Sequence, residues 1–176
     1  MFNLINFVKN LFKRIAKKEN TDWKNGCVIS PTDYRDVPLS AIREFVPLPE
    51  NYKIPYILRI SNQGQKPYCV GFSTATAKEE RERREQNFMD FDGEWIYKEC
   101  KKTDGMPDIA GTFFREGLKV LKNIGAKPLE ATNDLSKYRI GGYVNVPAEF
   151  ENIKQAIYEY GIILGGFRGS NQGWQG

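Results

Sequence analysis

The sequence predicts an α+β domain in which helices fill the middle of the chain and short strands lie towards its ends. Of the 176 residues, 40% are hydrophobic and 13% aromatic, enough to bury one core or a core shared by two small lobes. Helical periodicity dominates residues 69–125 and 149–161, whereas the apolar runs 56–60, 143–147 and 162–167 have the length of strands. This segregation favours α+β over a regular βαβ alternation.

The positive charge is concentrated at the N-terminus. The chain has 26 basic and 22 acidic residues, and residues 1–18 contain five of the basic ones and no acidic one. Removing those five leaves 21 basic against 22 acidic residues, so the body is nearly neutral. A nucleic-acid-binding domain usually has a basic surface, and we therefore expect no nucleic-acid partner.

Residues 1–20 have the pattern of a basic amphipathic helix. The apolar positions follow one helical face: Met1, Leu4, Ile5, Val8, Leu11, Phe12 and Ile15. The segment is too short and too polar to span a bilayer, and its charges follow the apolar run, unlike those of a secretory signal. A cytoplasmic location is therefore favoured. The helix would pack on protein, be removed as a leader, or lie on an anionic membrane surface as an adaptor. We favour the first two roles over the third.

Residues 21–46 are expected to form a loop-rich leader, since prolines interrupt any long helix there and in the following residues. Within this leader, "LSAIREF" at residues 39–45 predicts a short helical turn. "YILRI" at residues 56–60 predicts a short strand that leads into a Gly- and Pro-containing turn.

A long helix is predicted over residues 69–86. Its first half is small and apolar, while its second half contains opposite charges spaced four residues apart, such as Lys78 and Glu82. Such pairs are typical of a solvated helix end, so we expect this helix to begin buried and to end in water.

Three further helices and two strands are predicted. Residues 93–102 should direct Trp95, Ile96 and Cys100 inward. The apolar stripes of the other two helices are Phe114, Leu118, Leu121 and Ile124 in residues 112–125, and Phe150, Ile153, Ile157 and Tyr160 in residues 149–161. "YVNVP" (143–147) should form a strand, and "IILGGF" (162–167) a buried one. Because so little follows that buried strand, we expect the domain to continue beyond Gly176.

The cysteines provide no disulfide framework and no metal-ligand pattern, and the sequence contains no histidine. Cys69 nevertheless has the placement of a nucleophile, directly after a turn and at a helix N-terminus, where free N–H groups and the helix dipole favour the thiolate. The N–H of Cys69 and the side-chain amide of Gln63 could together hold an oxyanion. This local unit lacks a base.

The segment "NQGQKPYCVGFS" (62–73) resembles the active-site segment of papain-like cysteine peptidases, N-Q-G-x-C-G-S-C-W-A-F-S. The matching positions are Asn62, Gln63, Gly64, Cys69, Phe72 and Ser73. The resemblance implies that Cys69 is the catalytic nucleophile and Gln63 the oxyanion-hole glutamine. It also implies a papain-like fold: a helical left lobe whose central helix starts at the cysteine, followed by only the beginning of the β-rich right lobe.

Further similarity to the family extends over residues 47–168, and we assign residues 47–176 to a partial peptidase domain. "DIAGTFF" (108–114) resembles the segment whose backbone edge binds the substrate, which implies that Ala110, Gly111 and Thr112 contact a bound peptide. Tyr68, in place of a small family residue, would also line the cleft. No cofactor is implied.

The departures from the family pattern affect both structure and chemistry. Lys66 replaces a turn cysteine, and Pro67 with Tyr68 replaces Gly-Ser, which stiffens the turn and adds bulk near the cleft. The family's histidine base and its orienting asparagine would lie beyond residue 176. The sequence therefore predicts a cysteine endopeptidase that cleaves peptide or protein substrates but is inactive as this chain alone. The alternative is a degenerate papain-like fold that serves as a binding or structural component, with a partner chain covering the C-terminal strand edge.

Overall fold

The computed structural model describes residues 26–55, 59–130, 132 and 134–166, and its described part is a mixed structure of helices with one small sheet. The elements run β1 (Cys27–Val28), α1 (Cys69–Arg84), α2 (Gly93–Lys101), β2 (Thr112–Phe113), α3 (Phe114–Asn123) and α4 (Phe150–Tyr160). Two short 3-10 turns occur at Leu39–Ala41 and Ser136–Tyr138, the first at the predicted helical turn. The α+β class is confirmed. The amphipathic helix predicted for residues 1–20 and most of the strand predicted for 56–60 lie outside the described residues.

Helices α1, α2 and α3 enclose the main core. Ile96 and Cys100 of α2 are fully buried with Phe91, and Leu121 of α3 is almost fully buried beside them. The predicted inward positions Ile96 and Cys100 are therefore confirmed, and Trp95 packs partly buried against the same cluster. Burial of these side chains is the main term that holds the three helices together.

Two glycines let α1 and α2 approach closely. A Cβ atom at Gly71 in α1 would overlap the carbonyl oxygen of Gly93, and a Cβ at Gly93 would lie 2.7 Å from the Cα of Phe72. These distances leave no space for side chains, so the backbones themselves are in contact. Helix α2 begins at this contact, where the Asp92 carboxylate accepts a hydrogen bond of 2.9 Å from the N–H of Trp95 and caps the helix.

The sheet joins the leader to the body of the domain. Strands β1 and β2 pair in parallel, with Cys27 opposite Thr112 and Val28 opposite Phe113. Beyond the sheet, Arg115 donates to the carbonyl of Pro31 at 2.6 Å and pairs with Asp36 at 2.5 Å. The loop-rich character predicted for residues 21–46 agrees with the described part of that segment, but the segment is docked on the domain through backbone pairing that the sequence did not predict.

The charged half of α1 is not solvated as the sequence predicted. Lys78 and Glu82 are both 5% exposed, and Glu79 and Glu80 are fully buried. The carboxylate of Glu79 accepts a hydrogen bond of 2.9 Å from Arg59 and another of 2.9 Å from the N–H of Phe91. Burial of a carboxylate is tolerated when it is paired and hydrogen-bonded in this way, and these long-range partners are what a local spacing rule omits.

The two strands predicted after residue 140 are also wrong within the described residues. Residues 143–147 make an isolated bridge at Asn145, which pairs with Pro38, and residues 162–166 have no strand conformation. Neither segment has a neighbouring strand among the described residues, and a strand without a neighbour leaves its N–H and C=O groups unpaired.

The predicted helices over 112–125 and 149–161 form with shorter bounds, and Gly125 and Gly161 end them with positive φ angles as expected. Their outermost apolar residues are not buried. Ile124 is 38% exposed and Phe150 is 73% exposed. Each lies at an end of its apolar stripe, beyond the packed neighbours. The described residues contain no helix that is both long and apolar enough to cross a membrane.

The buried carboxylate of Glu79 provides a stability test. Glu79→Ala should lower the free energy of unfolding by about 3 kcal/mol, because Arg59 and the N–H of Phe91 lose their partner. The matched control on the same helix is Arg81→Ala, whose pair with Glu85 is more than half exposed and should contribute about 0.5 kcal/mol or less. Urea unfolding measures both values, and equal losses would contradict the importance of the buried pair.

Candidate active site

The turn before α1 is built from local hydrogen bonds. The N–H of Gly64, whose φ of 62° favours glycine, donates to the side-chain oxygen of Asn62 at 2.8 Å. The side-chain amide of Gln63 donates to the carbonyl of Lys66 at 3.0 Å. Gln63 therefore folds back over the turn, but in this structure its donor is used by the turn itself.

Cys69 is the first residue of α1 and is half-buried. Burial raises the pKa of its thiol, and hydrogen bonds from backbone N–H groups, that of Gly26 first, oppose this rise without cancelling it. The sequence-based expectation of a favoured thiolate is therefore wrong for this state of the molecule. Desolvation by burial outweighs the backbone hydrogen bonds from Gly26 and from the start of α1.

Tyr68 connects the cysteine turn to α2. Its ring stacks on the ring of Tyr97 with centroids 4.3 Å apart and an angle of 31° between the planes. On the other side, the Lys66 ammonium lies 5.2 Å from the centre of the Tyr68 ring and pairs with Glu94 at 3.2 Å. Lys66 thus ties the turn to the start of α2 by charge. The contribution of such an exposed pair to stability is small.

The predicted substrate edge is only partly available. Ala110 is exposed. Gly111, with a φ of 90°, donates its N–H to the hydroxyl of Tyr97 at 3.2 Å, and its carbonyl accepts from the Lys101 ammonium at 3.2 Å. Thr112 is fully buried and donates its N–H to the carbonyl of Gly26 at 2.9 Å. Both backbone polar groups of Gly111 are therefore bound by side chains of α2. The N–H of Thr112 is bound by the leader, at the carbonyl of Gly26.

Lys101 fixes the loop that leads to this edge. Besides Gly111, its ammonium contacts the carboxylate of Asp104 at 2.7 Å and the carbonyls of Met106 and Ile109. Burial would raise the pKa of Asp104, but hydrogen bonds from Lys101 and from the N–H of Met106 bring it below the ordinary value. The Lys101 ammonium thus donates to four oxygen atoms of residues 104–111, and these bonds fix the position of Gly111.

Gly26 is the leader residue that covers Cys69. A Cβ atom at Gly26 would lie 3.0 Å from the Cys69 sulfur. The leader therefore passes between the cysteine turn and the edge at Thr112, and it brings together the predicted residues Tyr68, Cys69, Gly111 and Thr112 around one channel.

Sequence reasoning missed Gly26, Tyr97 and Lys101. Gly26 carried no motif, and Tyr97 and Lys101 lie on a helix whose periodicity indicated only a core face. The Asp-Gly turn directly after that helix was the one available signal that a lysine there would bind the loop.

Burial also raises the pKa of the other two thiols. Burial raises the pKa of Cys100 to about 12, as expected for a core thiol, and burial followed by the proximity of Cys69 raises the pKa of Cys27. All three cysteines are free. Among the described residues, no group of histidine, cysteine, aspartate or glutamate side chains is arranged to hold a metal ion.

The raised pKa of Cys69 predicts a distinctive pH profile. The rate of Cys69 alkylation by iodoacetamide, followed by peptide mass spectrometry, should keep rising above about pH 8.5, where an ordinary thiol is half ionised. The same protein in urea is the control, and its Cys69 should titrate at about pH 8.5. A plateau below about pH 7.5 in the folded protein would show a stabilised thiolate and contradict this geometry.

Comparison with known proteins identifies one structural likeness. No protein-family model matches the chain, and no curated protein sequence matches it. Its structure is similar to the crystal structure of xylellain, a cysteine protease from Xylella fastidiosa, with a TM-score of 0.57 and 18% sequence identity. The likeness covers 75% of this chain and 62% of that chain. At this identity the comparison shows a likeness of fold alone.

Proposed function

We propose that this chain is the nucleophile-bearing part of a papain-like cysteine endopeptidase and that Cys69 attacks the carbonyl carbon of a peptide bond. One observation carries the proposal. The Cys69 sulfur faces a channel that already contains a peptide segment, Gly26, whose carbonyl is bound by the N–H of Thr112. A groove that binds an extended backbone beside a thiol at a helix N-terminus has the components of acyl transfer.

The chemistry follows from the positions of these groups. The thiolate of Cys69 forms a bond to the carbonyl carbon, and the N–H of Cys69 stabilises the resulting oxyanion. Gln63 would provide the second donor once its amide leaves the carbonyl of Lys66, 3.0 Å away in the resting structure. The C–N bond then breaks, the amine leaves with a proton, and water hydrolyses the thioester.

A base must carry the proton between these steps. The 176 residues contain no histidine, so the proposal assigns the base to a histidine outside them. Burial also raises the pKa of Cys69 in the covered state, and such a base would have to withdraw the thiol proton after the leader leaves.

The contacts of the leader support an inhibitory role for residues 26–46 within this proposal. The segment shields Cys69 at Gly26, pairs through β1 with β2 and is clamped at Asp36 by Arg115, whose side chain is only 16% exposed. A substrate would need the same N–H of Thr112 that now binds Gly26. Leader and substrate would therefore exclude each other.

The second candidate is a catalytically degenerate fold that serves in binding or as part of an assembly. Two observations favour it: the donor of Gln63 is engaged, and burial raises the pKa of Cys69. A partner chain could bind in a groove of about 880 Å³ that residues 162–166 line together with Leu118, Val144 and Ile153. The membrane-surface role of residues 1–18 lies outside the described residues and stays a prediction.

An exogenous base separates the two candidates. Imidazole added to Gly26→Ala, in which a Cβ atom would clash with the carbonyl of Pro67 and displace the leader, should support slow cleavage of unfolded casein, because imidazole replaces the general base. Adding Cys69→Ala to this variant should reduce that cleavage at least about 100-fold. Cys27→Ala is the matched control, since its thiol lies in the covering segment and should not be needed for turnover.

Gel electrophoresis and mass spectrometry of the casein fragments provide the measurement. Imidazole-dependent cleavage that persists in Cys69→Ala would contradict the assigned nucleophile. Absence of cleavage in the folded Gly26→Ala chain would favour the binding or structural role.

A further inference from the structure

A second cavity, of about 350 Å³, lies where the leader, α3 and residues 142–145 meet. Backbone hydrogen bonds join two of its walls: the N–H of Asn145 donates to the carbonyl of Val37 at 2.8 Å, and the carbonyl of Asn145 accepts from the N–H of Leu39 at 2.9 Å. The pair of Arg115 with Asp36 joins the leader to α3. The cavity is therefore built by contacts of the fold, and its volume is that of a small-molecule site.

The cavity has an excess of positive charge, since four basic and two acidic side chains line it. Each acid is already bound by an arginine. The carboxylate of Asp33 accepts hydrogen bonds of 2.9 and 2.7 Å from the guanidinium of Arg35. In the same way, Asp36 accepts from Arg115 at 2.5 Å. The two lysines of α3 that complete the lining therefore have no acid within the cavity to neutralise them.

These lysines, Lys119 and Lys122, lie on one helical face with Arg115, at a spacing of four and then three residues. Lys119 pairs with Glu116 at 2.7 Å, but its side chain is 45% exposed and its ammonium has further N–H donors. Lys122 is exposed and makes no ion pair or hydrogen bond with any described residue. Like charges at this spacing repel each other, and a bound anion would relieve the repulsion.

We propose that this cavity binds the phosphate group of a small molecule, held by the ammonium groups of Lys119 and Lys122 and by the N–H groups of Arg35 that Asp33 leaves free. Lysine binds phosphate as a point charge, and a guanidinium has more donors than one carboxylate uses. The ligand would contact both the leader and α3. This inference goes beyond the proposed function and does not depend on the chemistry of Cys69.

Inorganic pyrophosphate is the probe, titrated into the full chain by isothermal titration calorimetry. Sodium chloride at about 0.15 M screens diffuse attraction between exposed charges, so that binding at a built site remains. Lys122→Gln should weaken the binding roughly tenfold, because one charge-assisted hydrogen bond is lost. This substitution leaves no partner unpaired among the described residues, so the fold should be unaffected.

Lys53→Gln is the matched control. Lys53 is also exposed, makes no ion pair with the described residues and does not line the cavity. Its replacement removes the same charge, and the affinity should stay within about twofold of the wild-type value. Equal weakening by Lys122→Gln and Lys53→Gln would show attraction to the net charge alone and would overturn the inference, as would absence of binding to the folded wild-type chain.

A charge-neutral variant tests the leader side of the cavity. Asp33→Asn combined with Arg35→Gln leaves the net charge unchanged but removes the leader's cation, and it should also weaken pyrophosphate binding roughly tenfold. An unchanged affinity would show that the leader takes no part in binding and would overturn the site as assigned. None of these outcomes depends on cleavage of a peptide, so the proposed function is tested separately.

Discussion

Tyr97 holds both sides of the channel beside Cys69, the turn at Tyr68 and the edge at Gly111. Its ring stacks on Tyr68, the residue before Cys69, and its hydroxyl accepts the N–H of Gly111 on the opposite side. Tyr97 can lie between them because α1 and α2 meet at Gly71, where a Cβ atom would come within 2.9 Å of the Tyr97 Cβ. The close contact of α1 and α2 therefore determines where Tyr97 lies. A larger residue at Gly71 would displace α2, and with it both sides of the channel.

Close packing also explains the electrostatics of the Cys69 thiol. Burial raises the pKa of the Cys69 thiol, and backbone hydrogen bonds, first from Gly26 in the leader and then from the start of α1, oppose this rise without cancelling it. A thiol protected in this way is poorly nucleophilic, since the thiolate is the reactive form. Within the proposed function, displacement of Gly26 would open the channel and expose the sulfur to water, with loss of the backbone hydrogen bond from Gly26.

The parts of the structure that could be predicted from sequence are those encoded by local patterns. The start of α1 at Cys69 follows from a turn that ends in a small apolar run, and the ends of α3 and α4 follow from Gly125 and Gly161. The charged half of α1 could not be predicted as buried, because its compensation comes from Arg59 and from the backbone of Phe91. A pair spaced four residues apart is equally consistent with water and with a buried network.

The candidate site divides along the same line. Cys69 and Gln63 are recognisable from a twelve-residue segment, whereas Gly26 reaches them through a two-residue parallel pairing with β2 across more than 80 positions of the chain. Strand pairs this short and this distant have no periodic signal. The role of Lys101 could not be predicted for another reason. Lys101 binds backbone carbonyl groups of the loop that follows, and every residue has such a carbonyl.

The most direct test of the covered channel is amide hydrogen exchange at Thr112 in the full chain at neutral pH. We predict strong protection of that N–H, comparable to that of Ile96 in the core, because Thr112 is fully buried and its N–H donates to the carbonyl of Gly26 at 2.9 Å. Exchange of the Thr112 amide at the rate of an unprotected peptide, with Ile96 still protected, would contradict the covered channel. The leader would then not occupy the space beside Cys69.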